Sequence, residues 1–313
     1  MTPPLFRIGA RGSKLSLAQT GQTRARLAAK LSLDESAFEI VPIVTSGDRI
    51  QDQRLIEAGG KGLFTKELDD ALLDGRIDLA VHSLKDLPTR LPDRIVLACV
   101  PEREDPRDAF VSFKAKTLAE LAAGANVGTA SLRRQAQVLF ARRDLHVSVL
   151  RGNVDTRLGK LEAGEADATF LALAGLKRIG LERRATSLVD PNQTPPAACQ
   201  GAIAITGRAD DARVRDALSH CEDSDARIEV ESERAFLDAL DGSCRTPIAA
   251  LARVSGAQMR FIGETLTPDG AQRWRRVETI ALHGDPIALA QSLGRRLGHE
   301  IREEAGDAIM WHQ

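Results

Sequence analysis

The sequence has almost no net charge. Its 43 lysine and arginine residues are balanced by 44 aspartate and glutamate residues, which leaves a net charge of −1 at neutral pH over 313 residues. A chain so close to neutral, with no basic run, is not expected to bind nucleic acid. Any site for anions must therefore be built from a local cluster of basic side chains.

Long apolar segments are also missing. Runs such as FLALAGL are far too short to span a bilayer, and the opening residues MTPPLFRIGARG lack the apolar core of a secretory signal. We therefore expect a cytoplasmic protein that does not associate with membranes.

Cysteine is scarce, and no two cysteines form a CxxC pair. The four thiols belong to Cys99, Cys199, Cys221 and Cys244. In a cytoplasmic chain we expect them to be reduced. Because the spacings of cysteine and histidine ligands are missing, we expect no metal site.

The phosphate-binding motifs of nucleotide enzymes are absent as well. No G-x-G-x-x-G follows a predicted strand, and the glycine-rich stretch AGGKGLFTKE (58–67) lacks the spacing of a P-loop. Nucleotide binding is therefore disfavoured. We interpret residues 59–62 as a flexible loop that enters a helix, and as a candidate lid.

The first two-thirds of the chain alternates strand-like and helix-like segments. Residues 6–10, 38–44 and 77–81 have the pattern of buried strands, whereas 14–31 and 63–75 have the apolar spacing of helices. This alternation predicts an α/β protein with mainly parallel sheets.

The pattern changes near residue 222. A long helix is predicted over 226–240, followed by three strand-like segments and a final helix over 285–304. We expect a small α+β domain there. The proline-bearing stretches 101–108 and 191–201 are predicted to connect two α/β units.

Basic and hydroxyl side chains follow five of the predicted strands. A single surface arginine is usually a solvated charge, so their shared position is the signal. Ligands of open α/β sheets bind where strands end and helices begin, and arginine suits carboxylates or phosphates held bidentately. We therefore expect a cleft for a ligand with several negative groups. Its candidate residues are Arg11, Ser13, Lys85, Thr129, Ser131, Arg133, Arg134, Arg151, Arg157, Lys177 and Arg178.

Two residues near these strand ends have more than one interpretation. Asp86, a carboxylate among cations, is either a cap or charge-balancing group, or a stabiliser of a developing positive charge. His82 is a weaker acid–base candidate. The residues alone leave three interpretations of Cys244, which lies in the turn DGSCRTPI (241–248): an inert thiol, a nucleophile or an attachment point.

The ordered set of motifs resembles the porphobilinogen deaminase family over almost the whole chain. The motifs are RIGARGSKLSLAQ, GGKGLFTKE, DLAVHSLKDLP, EREDPRDAF, VGTASLRRQAQ, LRGNVDTRLGKL, LALAGLKRIGL and DGSCRTPIA. The resemblance implies an α/β fold of two periplasmic-binding-protein-like lobes plus a small C-terminal α+β domain that carries the cofactor cysteine. The implied ranges are 1–101 with 198–219, 106–196, and 223–313.

The resemblance also implies a reaction. A family member joins four porphobilinogen molecules into hydroxymethylbilane on a covalent dipyrromethane cofactor, releases ammonia at each addition, and frees the product by hydrolysis. The implied anchor is Cys244, and the implied catalytic residue is Asp86. The implied cofactor-binding residues are Lys85, Asp86, Ser131, Arg133, Arg134 and Arg157, and the implied substrate-binding residues are Arg11, Ser13, Arg151, Arg157 and Arg178. We expect a monomer.

The chain departs from the usual family pattern at three positions. Cys199 stands where glycine is usual, Thr206 where glutamate is common, and Ala249 where glycine is usual. None of these removes a residue that the chemistry requires. Two alternative functions remain: a non-catalytic, two-lobed receptor for a small polycarboxylate, and a cysteine-dependent hydrolase.

Overall fold

A computed structural model describes residues 4–49, 64–240 and 246–309. The candidate lid at 59–62 and the turn that contains Cys244 lie outside the described residues. Within the described part, no helix is both long and apolar enough to cross a membrane.

The strands follow one another along the chain as the alternation of apolar residues predicts. They are β1 (Phe6–Arg11), β2 (Phe38–Ile43), β3 (Leu79–Ser83), β4 (Ile95–Cys99), β5 (Asp108–Ser112), β6 (Asn126–Gly128), β7 (His146–Ser148), β8 (Ala168–Ala172), β9 (Ser187–Leu188), β10 (Ile203–Arg208), β11 (Ile248–Ser255), β12 (Gln258–Leu266) and β13 (Arg273–Ala281).

The helices alternate with these strands in the first two-thirds of the chain and flank the last three. They are α1 (Lys14–Leu31), α2 (Ser46–Arg49), α3 (Lys66–Leu73), α4 (Leu132–Ala141), α5 (Val154–Glu162), α6 (Leu173–Arg178), α7 (Ala212–Ser219), α8 (Ser224–Ala239) and α9 (Pro286–Ala305). The predicted helix over 14–31 has the bounds of α1, and the predicted C-terminal helices agree with α8 and α9 to within two residues.

Two five-stranded sheets share the same pattern of strand directions, although the chain connects their strands in a different order. Their strand orders are β2-β1-β3-β10-β4 and β7-β6-β8-β5-β9. In each, three neighbouring strands are parallel and the fourth is antiparallel to both of its neighbours. Four of the five strands therefore run in one direction, and the prediction of α/β units with mainly parallel sheets is confirmed.

An aspartate at the start of a strand repeats between the two sheets. The Asp78 carboxylate, just before β3, accepts a hydrogen bond of 2.8 Å from the Arg7 backbone N–H. In the second sheet, the Asp167 carboxylate accepts one of 2.7 Å from the Asn126 N–H. The same side chain thus ties the start of one parallel strand to the next in both sheets.

Helices cover both faces of each five-stranded sheet. In the first sheet, apolar residues of α1 and α7 pack on one face and those of α3 on the other. In the second, α5 and α6 cover one face and α4 the other. Burial on both faces explains why these strands are continuous apolar runs and not alternating ones.

The C-terminal residues form a three-stranded antiparallel sheet, β11-β12-β13. Helices α8 and α9 pack closely together beside it. A Cβ atom on Gly294 of α9 would lie only 2.1 Å from the Ser232 carbonyl oxygen of α8, so the close approach requires glycine at this position. The predicted small α+β region is confirmed.

Contacts between residues divide the chain into two compact units. The first contains residues 1–104 and 202–227, and the second contains 105–201 and 228–313. The second unit therefore contains both the second five-stranded sheet and the C-terminal sheet. The finer division into three domains stays a prediction.

Candidate active site

In the first unit, the strand ends line a small cavity. Strands β1 and β3 are adjacent and parallel, so the residues that follow them emerge at the same edge of the sheet. The cavity has a volume of about 70 Å³. Its lining includes four candidates from the sequence: Arg11, Ser13, His82 and Asp86.

Asp86 presents an uncommitted carboxylate to this cavity. It ends the short 3₁₀ helix Leu84–Asp86 that follows β3, and its side chain is exposed. Among the described residues no hydrogen bond or ion pair to its carboxylate occurs, and it caps no helix. The capping and charge-balancing interpretations of Asp86 therefore find no support in the described contacts.

Arg11 is already paired. Its Nε donates a 3.2 Å hydrogen bond to Asp48, and its guanidinium lies 4.1 Å from the centre of the Phe64 ring. Asp48 in turn accepts hydrogen bonds from the backbone N–H and the hydroxyl of Thr45. Partial burial raises the pKa of Asp48, but the hydrogen bonds from Arg11 and Thr45 and the charge of Arg11 outweigh it and hold this pKa below its usual range. The guanidinium is thus oriented by an acid that the sequence analysis did not identify.

His82 is buried and neutral at physiological pH. Its Nε2 lies 3.0 Å from the Thr206 hydroxyl on the neighbouring strand, and its side chain is 6% exposed. Burial lowers the pKa of His82 to about 4, with a further contribution from the charge of Arg11. A neutral imidazole held by a hydroxyl fits a structural role better than that of a proton donor.

Four further polar residues line the cavity and are not among the candidates predicted from the sequence: Ser16, Gln19, Thr65 and Ser83. The Gln19 side chain, 3% exposed, donates a 2.9 Å hydrogen bond to the Ser83 hydroxyl. Gln19 lies on α1 among residues with a helical apolar pattern, so nothing in its local sequence indicated a polar site. Ser13 is the N-cap of the same helix, and its hydroxyl accepts from the Ser16 N–H.

In the second unit, strands β7, β6 and β8 are parallel neighbours, so the residues that follow them also emerge at one edge. Ser131, after β6, is the N-cap of α4 and accepts a hydrogen bond from the Arg134 N–H. Arg151 and Arg157, both half-buried, lie in the loop after β7 and on α5. Arg178 ends α6 and donates a 2.7 Å hydrogen bond to the Gly201 carbonyl.

Arg133 and Arg134 are buried, at 5% and 6% exposure, and both pair with Asp108 at the start of β5. Arg134 directs Nη2 and Nε to the Asp108 carboxylate and Nη1 to the Phe170 carbonyl, 2.7 Å away. Gln200 donates to the same carboxylate. The two guanidinium groups hold the pKa of Asp108 far below its usual value despite complete burial.

Arg133 differs from Arg134 in one respect. All of its hydrogen bonds start from Nη1, which donates to Asp108, Gln137 and the Pro195 carbonyl. Its Nε is buried without a hydrogen-bond acceptor among the described residues. Because buried guanidinium N–H groups normally have an acceptor, this edge of Arg133 suits a ligand carboxylate.

The local charge near Asp108 favours an anion. Two guanidinium groups share a single buried carboxylate, so the cluster carries an excess of positive charge. In the described part of the chain, no group of three or more His, Cys, Asp or Glu side chains could hold a metal ion. Cys244 lies outside the described residues, and its surroundings are therefore not part of this geometry.

Comparison with known families agrees with the motifs. The model of the family described as porphobilinogen deaminase, dipyromethane cofactor binding domain, matches residues 6–216, and the porphobilinogen deaminase C-terminal domain matches residues 227–303. Proteins named porphobilinogen deaminase are similar over their full length. The chain is 56% identical over 316 residues to one from Caulobacter vibrioides (strain NA1000 / CB15N), with 98% of each chain covered. It is 52% identical over 319 residues to one from Phenylobacterium zucineum (strain HLK1), with 99% of each covered.

Among solved structures, a periplasmic substrate-binding protein of an ABC transporter from Coxiella burnetii aligns with 70% of this chain and 92% of its own length. The TM-score is 0.44 and the sequence identity is 15%.

Proposed function

Because the chain belongs to the porphobilinogen deaminase family, it is a hydroxymethylbilane synthase, and we propose that Asp86 is its catalytic residue. The observation that carries this proposal is the exposed Asp86 carboxylate, which lies at a strand end, lines the cavity with Arg11 and Ser13, and has no partner among the described residues. A carboxylate without an internal partner is available to a ligand.

The proposed role of Asp86 follows from the charge that develops in the substrate. Loss of ammonia from the aminomethyl group of porphobilinogen leaves a cationic carbon conjugated with the pyrrole nitrogen. A fixed carboxylate that accepts a hydrogen bond from that N–H stabilises the cation electrostatically. His82 does not supply the proton for the departing amine in this proposal, because it is neutral and buried.

The residues proposed to hold the dipyrromethane fit its chemistry. The cofactor carries acetate and propionate groups, and the buried Arg133 Nε lacks an acceptor among the described residues. When bound, the dipyrromethane supplies the pyrrole carbon to which the first substrate unit is joined. We propose that its carboxylates are held by Lys85, Ser131, Arg133, Arg134 and Arg157, and that Cys244 anchors it through a thioether.

Within this set, Arg133 and Arg134 contribute differently. The Nε edge of Arg133 is available for a direct hydrogen bond to a carboxylate. The Arg134 guanidinium already donates hydrogen bonds to Asp108 and to the Phe170 carbonyl. Arg134 therefore acts through its charge and by holding Asp108 in place. Ser131 accepts from a backbone N–H, and its own O–H is left to donate to a carboxylate.

We assign the incoming porphobilinogen to a second set of residues, Arg11, Ser13, Arg151, Arg157 and Arg178. Arg11 is oriented by Asp48 and by the Phe64 ring, so its remaining N–H groups are presented in a fixed direction. We further propose a cytoplasmic monomer of three domains with the boundaries predicted above, acting without nucleic acid or membrane.

The proposal is tested by incubating the purified protein with porphobilinogen and measuring ammonia and the linear tetrapyrrole together. Four ammonia molecules per hydroxymethylbilane are expected. A receptor for a small polycarboxylate would bind porphobilinogen reversibly and release none. A cysteine-dependent hydrolase would form no pyrrole adduct with porphobilinogen, and alkylation of its thiols would abolish its activity. Full activity after alkylation would exclude the hydrolase.

A further inference from the structure

A chain of buried hydrogen bonds connects the C-terminal sheet to Arg133. On helix α4, Gln137 lies one turn after Arg133, and its Oε1 accepts a 2.8 Å hydrogen bond from Arg133 Nη1. The Gln137 Nε2 group donates to Glu264 of strand β12 and to the Pro195 carbonyl, both at 2.9 Å. With one acceptor and two donors in use, the Gln137 amide has a single orientation that satisfies all its partners.

Glu264 is the far end of this chain. It is 1% exposed, and its second oxygen accepts a 3.1 Å hydrogen bond from Arg275 of strand β13. Burial raises the pKa of Glu264, whereas the hydrogen bond from Gln137 and the charge of Arg275 oppose that rise. Because the buried Glu264 carboxylate accepts a hydrogen bond from Gln137 on one oxygen and from Arg275 on the other, it fixes the positions of both donor side chains.

The turn between β12 and β13 also packs directly against helix α4. Gly270 has φ of +67°, and a Cβ atom there would lie 2.5 Å from the Phe140 backbone nitrogen. The Gln135 side chain donates a 3.2 Å hydrogen bond to the Pro268 carbonyl. The guanidinium of Arg273 lies 4.3 Å from the centre of the Phe140 ring. The C-terminal sheet and α4 are thus in backbone contact as well as joined through Gln137.

We propose that Glu264 is a positioning residue that acts through Gln137 to fix the Arg133 guanidinium. With Nη1 held by Asp108 and Gln137, the Nε edge of Arg133 has one direction in which to meet a carboxylate. The proposal rests on the proposed function, since it is the cofactor carboxylate that Arg133 would bind. In this proposal, Glu264 of the C-terminal sheet sets the geometry of Arg133, which lies on helix α4 beside the second five-stranded sheet.

The test measures cofactor attachment and not turnover. Full-length protein is purified from a host that cannot make porphobilinogen, then incubated with porphobilinogen while its intact mass is followed over time. The variants are Gln137→Met, Glu264→Gln, Arg133→Lys and the double variant Arg133→Lys/Gln137→Met. Gln135→Met is the matched control, because Gln135 joins the same helix to the same hairpin but does not contact Arg133.

We expect the mass gain of Gln137→Met and Glu264→Gln to be about tenfold slower than that of the natural chain, within the range of couplings in hydrogen-bonded networks. Gln135→Met should stay within about twofold. The double variant should be no slower than Arg133→Lys alone, because Gln137 acts only through Arg133. If the Gln137→Met variant does not fold, the nearly isosteric Glu264→Gln variant tests the positioning role in its place.

Two results would overturn different claims. If Arg133→Lys is slow but Gln137→Met and Glu264→Gln load like the control, the positioning role is wrong and the cofactor assignment of Arg133 stands. The same conclusion follows if the slowing in the double variant is the product of the two single effects. If Arg133→Lys gains the cofactor mass at the rate of the natural chain, Arg133 does not bind the cofactor. The positioning role of Glu264 is then wrong as well.

Discussion

Ser13 and Ser131 occupy equivalent positions in two sheets that have the same pattern of strand directions. Each is the N-cap of the helix that follows the second strand of its sheet, β1 or β6. Each hydroxyl accepts a hydrogen bond from the backbone N–H three residues later, at 3.3 and 3.4 Å. The hydroxyl proposed for the substrate and the one proposed for the cofactor are therefore products of one repeated strand–helix unit.

The first prediction concerns Asp86. Asp86→Asn keeps the size of the side chain but removes the charge that stabilises the cation, so kcat should fall by about 10²- to 10³-fold, as for loss of one electrostatic stabiliser. Thermal stability should change little, because the carboxylate has no partner among the described residues. Ammonia release and a melting curve check both points.

Asp93→Asn is the matched control, since Asp93 is an exposed acid in the same region of the chain. It should retain normal ammonia release. Near-normal ammonia release by Asp86→Asn would show that the catalytic assignment is wrong.

The second prediction concerns the buried charge of Asp108. Asp108→Asn leaves two buried guanidinium groups without an acid and should lower the free energy of unfolding by about 3–5 kcal/mol at pH 7. Asp144, an exposed acid that pairs with Arg142, provides the control: Asp144→Asn should cost much less than Asp108→Asn, because solvent screens an exposed carboxylate. Urea denaturation of the three proteins measures both values, and equal losses would contradict the account.

Asp108 also predicts a pH dependence. Its pKa is lower in the folded protein than in the unfolded chain, so the unfolded state takes up the proton first as the pH falls. The stability that Asp108 contributes is complete above about pH 4 and is lost progressively below it. The stability of the natural protein should therefore fall more steeply below pH 4 than that of Asp108→Asn.

The secondary structure and the strand-end loops could be predicted from the sequence, because both depend on local patterns. The apolar period of 3.6 predicted α1 with its observed bounds, and the motif after each parallel strand located Ser13, Asp86 and Ser131. Each of these signals is contained in a stretch of about twenty residues or fewer. They hold because a parallel sheet brings successive strand ends to the same edge.

The partners of the arginines could not be predicted, because they depend on which strands become neighbours. The sequence predicts that Arg133 and Arg134 face an anionic ligand, yet Asp108, 25 residues before Arg133, pairs with both inside the protein. Asp48 likewise pairs with Arg11 across 37 residues, because the fold brings these two distant segments together. No local pattern distinguishes an arginine that faces a ligand from one that faces a buried acid.

The third prediction concerns His82. The folded-state pKa of about 4 is below the ordinary value of 6.5, so stability should be complete above pH 6.5 and should decline as the pH falls toward 4. The decline attributable to His82 is about 3 kcal/mol. An NMR titration, with His82→Gln used to assign the signal, should show no protonation of this imidazole between pH 8 and 5.5.

Thr206→Glu extends this test. A carboxylate in place of the Thr206 hydroxyl, 3.0 Å from His82 Nε2, should stabilise the imidazolium and raise the pKa of His82. An unchanged titration in Thr206→Glu, or protonation of His82 near pH 6.5 in the natural protein, would contradict the described environment.

The fourth prediction compares two glycines that both have positive φ. Gly270→Ala places a Cβ atom 2.5 Å from the Phe140 nitrogen, whereas Gly124→Ala, at φ of +75°, meets nothing within 4 Å. Both should lose about 1 kcal/mol from backbone strain. Gly270→Ala should lose at least about 2 kcal/mol more, because two backbone segments must separate. Equal losses in urea denaturation would mean that the β12–β13 turn does not pack on α4 as described.

Intact mass shows whether this enzyme builds its product on a dipyrromethane attached to Cys244. The denatured natural protein and Cys244→Ser are weighed side by side after incubation with porphobilinogen. We expect a surplus of two linked pyrrole units on the natural protein and none on Cys244→Ser. An unmodified mass for both proteins, or the same surplus on both, would contradict it.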